Sequence, residues 1–206
     1  MGTKEKIKVY AVENDQTACN VLKEVFSDNE TYEIKIIKVA GNTSTDIEKS
    51  REEDKTYLLD ILSQEHFHIL ILDLLLRDNM YLDKERVASE NVLENVLSLE
   101  IARQLKENPN KEKFLLVFTS ASSICKTHQK FEEIKKENKD KVPEDAVFIF
   151  KLDQDYDQQL FEKCPISEGT NAPICNKEKR DIGGCNQKIC FFELLNKYYA
   201  DLLLEE

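Results

Sequence analysis

The most constraining feature of the sequence is a short apolar run that ends in a carboxylate. Residues 69–72 are Ile and Leu only, Asp73 follows, and residues 74–76 are Leu again. A run this short and this apolar is typical of a strand that is buried on both faces of a parallel sheet. An ionised carboxylate is costly to bury, yet open α/β sheets build their ligand sites at the carboxyl ends of such strands. Asp73 is therefore predicted to belong to a functional site.

Strands and helices are predicted to alternate along the rest of the chain. Apolar or alternating segments predict four more strands, at residues 7–12, 33–39, 114–119 and 146–150, and the charged second one is expected to be an outer strand. Apolar residues at helical spacing predict helices at residues 17–26, 93–105 and 190–204. A charged helix with an apolar end is predicted at residues 46–63, and a polar helix at about residues 124–138. This order predicts an α/β fold, a doubly wound five-stranded parallel sheet.

Length and charge narrow the classes of function. The 206 residues suffice for one well-buried domain, spanning residues 1–206, with elaborations at residues 77–90 and 153–189. A net charge of −11 disfavours direct binding to nucleic acid or to an anionic membrane. No apolar stretch has the length of a membrane span, and the N-terminus lacks a secretory signal. We therefore expect a cytoplasmic protein.

Polar side chains follow four of the predicted strands. Glu13 and Asn14 follow the first strand, Asp73 the third, Thr119 the fourth and Lys151 the fifth. Right-handed crossovers would bring these strand ends to one edge of the sheet. The acids would attract a hard cation such as Mg²⁺, and the lysine and hydroxyl would stabilise a phosphoryl group. Asp73 would then be a carboxylate nucleophile that forms an acyl phosphate.

With these residues in these positions, the chain resembles the receiver domain of two-component response regulators, which has a flavodoxin-like (CheY-like) fold. The resemblance covers nearly the whole chain. It implies that Asp73 is phosphorylated, that Thr119 and Phe148 form the switch and that Lys151 is the family's lysine. It also implies a histidine kinase or phosphotransfer protein as the phosphoryl donor. Because no DNA-binding module follows the last helix, we expect signalling through contact with a downstream protein.

The resemblance also implies a Mg²⁺ site formed by Glu13, Asn14, Asp73 and the carbonyl of Leu75. Asn14 stands where the family usually has an Asp, which should weaken Mg²⁺ binding, and Asp15 is a potential substitute ligand. Alternatively, residues 13–15 form an ordinary helix cap. The resemblance further implies slow loss of the phosphoryl group, because the apolar Leu75 stands where family members tune the access of the hydrolytic water. The protein is thus expected to be a signalling phosphoacceptor and not an enzyme, beyond self-phosphorylation and slow autodephosphorylation.

The four late cysteines raise a separate question. Their spacing lacks a C-x2-C pair but supplies enough thiolates for a tetrahedral structural Zn²⁺. An iron–sulfur cluster, disulfides and free thiols remain open alternatives, and a position at a helix N-terminus would favour the thiolate of the last of them. The candidate ligands are Cys164, Cys175, Cys185 and Cys190.

Other functions compete with the phosphoacceptor. Loss of the acid at Asn14 would suit a phosphorylation-independent pseudo-receiver, an interaction module on the same fold. A phosphohydrolase of the haloacid dehalogenase type is disfavoured, because such enzymes have a second Asp where this chain has Leu75. A metal or redox sensor built on the cysteines is a further alternative.

Overall fold

A computed structural model describes residues 5–39, 47–74, 76, 96–120, 128–140, 142–152 and 187–204. The strands are β1 Ile7–Glu13, β2 Tyr32–Lys38, β3 Ile69–Asp73, β4 Leu115–Thr119 and β5 Val147–Phe148. The helices within these ranges are α1 Gln16–Ser27, α2 Ile47–Gln64, α3 Leu97–Glu107, α4 His128–Glu137 and α5 Gln187–Leu204.

The five strands form one parallel sheet in the order β2-β1-β3-β4-β5. This confirms the predicted α/β fold and its flavodoxin-like strand order. All residues of β3 and β4 are buried, whereas exposed and partly buried residues occupy much of β2 at one edge. The predicted outer strand is therefore an edge strand, as its alternating charges indicated.

Each central strand contributes to two cores, which explains why its sequence is apolar without interruption. Successive side chains of a strand point to opposite faces. Leu70 and Leu72 pack in the core that includes residues of α2, α3 and α4. Ile69 and Ile71 pack in the core that includes residues of α1 and α5.

The predicted boundaries of the fifth strand differ from the structure. Only Val147 and Phe148 are paired as β5, against five residues predicted, although the Ile149 N–H still donates to the Phe118 carbonyl at 3.0 Å. Burial of Phe150 in the core, and not sheet pairing, accounts for the rest of that apolar segment.

The elaboration at residues 77–90 and most of that at 153–189 lie outside the described residues. Among the described helices, none is both long and apolar enough to cross a membrane.

His68 connects β1, β3 and β4 at the amino-terminal ends of these strands, the end of the sheet opposite Asp73. Its backbone N–H donates to the Lys8 carbonyl at 2.9 Å, and its carbonyl accepts from the Leu115 N–H at 2.9 Å. Its ring Nδ1 accepts the Lys8 N–H at 3.0 Å, so this nitrogen carries no proton. Burial lowers the pKa of His68 below 6.5, and His66 and Lys8 lower it further.

We therefore predict that acid destabilises the fold through His68. A lowered pKa means that the folded protein binds this proton less readily than the unfolded chain. The contribution of His68 is fully present above pH 6.5 and is lost as the pH falls through the folded-state pKa. NMR titration of the ring should give a pKa below 6.5. In urea unfolding, His68→Gln should flatten the pH dependence between pH 5 and 7, whereas an unchanged dependence would contradict the prediction.

Candidate functional site

The carboxyl ends of the parallel strands bring the predicted side chains to one edge of the sheet. Asp73 is the last residue of β3 and is directly opposite Thr119, the last residue of β4. Glu13 ends β1, the neighbour of β3 on its other side, and Lys151 follows β5. Although separated by up to 138 positions in sequence, from residue 13 to residue 151, Glu13, Asp73 and Lys151 meet here.

The Lys151 ammonium bridges the two carboxylates. Its Nζ lies 2.7 Å from Glu13 Oε2 and 2.9 Å from Asp73 Oδ2. Glu13 is 2% exposed and Asp73 is 8% exposed, so both anions are largely removed from water. Buried carboxylates without a counter-charge would be strongly unfavourable, and charge-assisted hydrogen bonds at these distances offset that cost. We refer to these three residues as the ionic triad.

Glu13 is held by hydrogen bonds on both carboxylate oxygens. Its Oε1 accepts the backbone N–H of Asn14 at 3.0 Å and of Asp15 at 2.9 Å, while Oε2 contacts Lys151. Burial and the nearby Asp73 carboxylate raise the pKa of Glu13, and the contacts with Lys151 oppose that rise. The backbone at the start of α1 therefore fixes Glu13 in place.

Lys151 keeps its proton despite its position. Burial acts to lower its pKa, but the carboxylates of Asp73 and Glu13 outweigh burial and raise the pKa above its usual value of 10.5. The ionic triad thus contains a permanent ammonium at neutral pH.

Asp15 serves as a helix cap. It is the N-cap of α1, and its Oδ1 accepts the Ala18 N–H at 2.8 Å. The exposed Asp15 side chain is thus committed to the helix, which favours the cap interpretation over a role as substitute metal ligand. Asn14, half-buried, lies between the cap and Glu13.

Thr119 and Phe148 lie on adjacent parts of β4 and β5. Thr119 is buried, and its carbonyl accepts the Leu74 N–H at 2.7 Å. Phe148 pairs in register with Phe118 and is also buried. Its ring stacks on Phe131 of α4, with centroids 5.5 Å apart. The predicted switch residues are therefore connected through β4 and β5 to the inner face of α4.

The oxygen donors of the site suit Mg²⁺ chemically, but they are few. Glu13 and Asp73 offer carboxylate oxygens, the donors that Mg²⁺ prefers. Within the described ranges, no three His, Cys, Asp or Glu residues cluster in a way that could hold a metal ion. The predicted carbonyl ligand, that of Leu75, lies outside the described residues. A divalent cation would have to share these two carboxylates with Lys151.

The cysteine prediction is only partly covered by the structure. Cys164, Cys175 and Cys185 lie outside the described residues, so the zinc site stays a prediction. Cys190 is the fourth residue of α5, which already includes Gln187 and so extends beyond the predicted start at residue 190, and its side chain is buried in the core beside Phe191.

Ser98 is a buried polar residue near Asp73 that the sequence did not indicate. Ser98 of α3 is fully buried, and its hydroxyl donates to the Leu74 carbonyl at 2.6 Å. The only signal in the sequence is a serine between Leu97 and Leu99, at the buried start of an apolar helix. Such a serine does not by itself identify the residue it contacts.

Comparison with known proteins gives little further guidance. No protein-family model matches the chain, and no curated protein matches it. One solved structure that is similar is described as a trimeric coiled coil of yeast Spc42 fused to another structure. The chain is 12% identical to it with a TM-score of 0.37, over 73% of this chain and 72% of that one. A similarity of this size supports no inference about this protein.

We predict that Lys151→Met destabilises the protein strongly at neutral pH. The substitution keeps much of the side-chain volume but leaves Glu13 and Asp73 buried without their shared counter-charge, which should cost about 3–5 kcal/mol. The measurement is the free energy of unfolding in urea at pH 7. Adding Glu13→Gln and Asp73→Asn to Lys151→Met should restore part of the loss. Equal stability of Lys151→Met and the wild type would contradict a bridging role.

Proposed function

We propose that this protein is a phosphoacceptor receiver of a two-component phosphorelay, with Asp73 as the residue that takes the phosphoryl group. The observation that carries the proposal is the ionic triad, in which Lys151 bridges Asp73 and Glu13, with Thr119 directly opposite Asp73. A nucleophile, a fixed cation and a hydroxyl at one sheet edge match the needs of phosphoryl transfer. The chain is a signalling acceptor, with only self-phosphorylation and slow autodephosphorylation of its own.

In the proposed reaction, a carboxylate oxygen of Asp73 attacks the phosphorus of a phosphohistidine on a partner. An O–P bond forms as the P–N bond breaks, and the imidazole nitrogen takes the electron pair. The products are an acyl phosphate on Asp73 and a free histidine, so no further reactant is needed. Lys151 orients Asp73 before the attack and neutralises negative charge as the phosphoryl group arrives.

Thr119 and Phe148 would report the change to the surface. The Thr119 hydroxyl would donate to a phosphoryl oxygen, because β4 places this residue opposite Asp73. Phe148 is stacked on Phe131, so a shift at the end of β4 and β5 would alter the packing of α4. Through this contact, phosphorylation of Asp73 would change the surface at α4 that a downstream protein binds.

Mg²⁺ is the proposed cofactor, held by Glu13 and Asp73 with Asn14 and the Leu75 carbonyl as ligands implied by the resemblance. When bound, it would neutralise charge on the phosphoryl oxygens. The chain already supplies one cation to the site, because the Lys151 ammonium contacts the carboxylates of both Glu13 and Asp73. Weak Mg²⁺ binding follows from that competition and from the uncharged Asn14.

The proposed partners are a histidine kinase or phosphotransfer protein and a downstream protein, in the cytoplasm. The net charge of −11 favours protein partners with basic surfaces. It disfavours direct contact with nucleic acid, and we propose no insertion into a membrane.

The central prediction concerns Asp73 itself. With acetyl phosphate and Mg²⁺, the wild-type protein should gain the mass of one phosphoryl group, and beryllofluoride should perturb its NMR spectrum. Asp73→Asn should abolish both effects, because an amide is a poor nucleophile. Asp60→Asn, which removes an exposed carboxylate of α2, is the matched control and should change neither. A wild-type protein that gains no mass and shows no spectral change would refute the proposed function.

A phosphorylation-independent interaction module is the second candidate. The observation that favours it is the complete engagement of Glu13, whose two oxygens contact Lys151 and two backbone N–H groups. Together with Asn14, this arrangement satisfies the site without a divalent cation. Such a module would use the fold as a binding platform, with the cysteines as a structural zinc site or a redox cluster.

We predict that Asn14→Asp tightens Mg²⁺ binding by about tenfold or more, because it restores a carboxylate to a site limited by ligand charge. Isothermal titration with Mg²⁺ measures the effect. Asn20→Asp, at an exposed position of α1, adds the same charge elsewhere and should leave the affinity unchanged. Millimolar or tighter binding by the wild type favours the phosphoacceptor, whereas binding by Asn14→Asp alone favours the interaction module.

A further inference from the structure

The residue that follows Asp73 is held from two sides. The Leu74 N–H donates to the Thr119 carbonyl at 2.7 Å, which continues the pairing of β3 with β4. The Leu74 carbonyl accepts the Ser98 hydroxyl at 2.6 Å, from the first turn of α3. These two hydrogen bonds fix both polar groups of the backbone at Leu74, directly beside Asp73.

The Ser98 hydroxyl makes this bond in place of a local one. Serines near a helix start commonly bond to the backbone of their own helix. Here the N-cap of α3 is Val96, which provides no side-chain cap, and the Ser98 hydroxyl reaches a carbonyl 24 residues earlier in sequence. Ser98 is fully buried, so its hydroxyl needs a protein partner. The Ser98 hydroxyl is satisfied by this one hydrogen bond, which an aliphatic residue at position 98 could not make.

We propose that Ser98 is a positioning residue for Asp73. Its hydroxyl holds the backbone of Leu74 and thereby the end of β3 from which the Asp73 carboxylate meets Lys151. The inference rests on the proposed function in that the positioned group is the phosphoacceptor. It adds a residue on α3 that controls how well the ionic triad is aligned for attack.

The physical basis is that Ser98 bonds to Leu74, the residue directly after the acceptor Asp73. Only the φ and ψ torsions of Leu74 separate its carbonyl from the planar Asp73–Leu74 peptide, so holding this carbonyl restricts the positions open to the end of β3. Attack on phosphorus requires the carboxylate oxygen to be aligned within a fraction of an ångström, and small misplacements cost large factors in rate. Without the hydroxyl, the Leu74 carbonyl would be buried beside an apolar side chain and would be driven to rotate toward another donor.

The test compares Ser98→Ala with Ser98→Thr, which keeps the hydroxyl, and with Ile101→Val, which destabilises the same helix through packing alone. Two quantities are measured in full-length protein: the affinity for beryllofluoride and the ¹⁵N resonance of the Lys151 ammonium. Ser98→Ala should weaken beryllofluoride binding by roughly tenfold and shift the Lys151 resonance toward that of a free lysine. Ser98→Thr should recover most of both effects, and Ile101→Val should change neither.

The two proposals fail in different ways. If Ser98→Ala changes both quantities no more than Ile101→Val does, the positioning role is wrong while the phosphoacceptor stands. If the wild type binds no beryllofluoride, the proposed function falls, and the Lys151 resonance alone decides the positioning role. A shift in Ser98→Ala then supports the role, and its absence overturns it.

Discussion

The contact of one ammonium with two buried carboxylates is the interaction on which the site depends. Glu13, Asp73 and Lys151 come from three segments that are distant in sequence, and each would be unfavourable in its position without the others. The fold makes the contact possible, because only parallel strands bring the ends of β1, β3 and the segment after β5 to one edge. In turn, the contact with Lys151 stabilises the carboxylate of Asp73 at the end of β3, a strand whose residues are all buried.

The fold was largely predictable because its strongest signal is a burial pattern. The run through β3 is apolar on both faces, which in a chain of alternating strands and helices leaves few architectures other than a parallel sheet. Boundaries were less predictable. The segment before Lys151 is apolar because Phe150 packs in the core, and a sequence pattern does not distinguish that burial from strand pairing.

The site was predictable only as far as residue type and strand end determine it. Positions of Glu13, Asp73, Thr119 and Lys151 followed from the carboxyl ends of their strands, and the structure brings them to one edge. What the sequence did not reveal is how each side chain is shared. The cap at Asp15 is a local contact with Ala18 and was among the sequence interpretations, whereas Ser98 bonds to a backbone carbonyl of another segment, a tertiary contact that no local pattern encodes.

The brevity of β5 has a consequence for how the sheet responds to chemistry. With two paired residues at the outer edge, β5 has little backbone pairing of its own. Lys151, three residues beyond β5, contacts Glu13 of β1 and Asp73 of β3. The ionic triad therefore connects the end of this short strand to the middle of the sheet. Any change in the charge of Asp73 therefore alters the free energy of local opening at this edge. If Asp73 is the phosphoacceptor, as proposed, its phosphorylation would change how tightly the segment after β5 is held to β1 and β3.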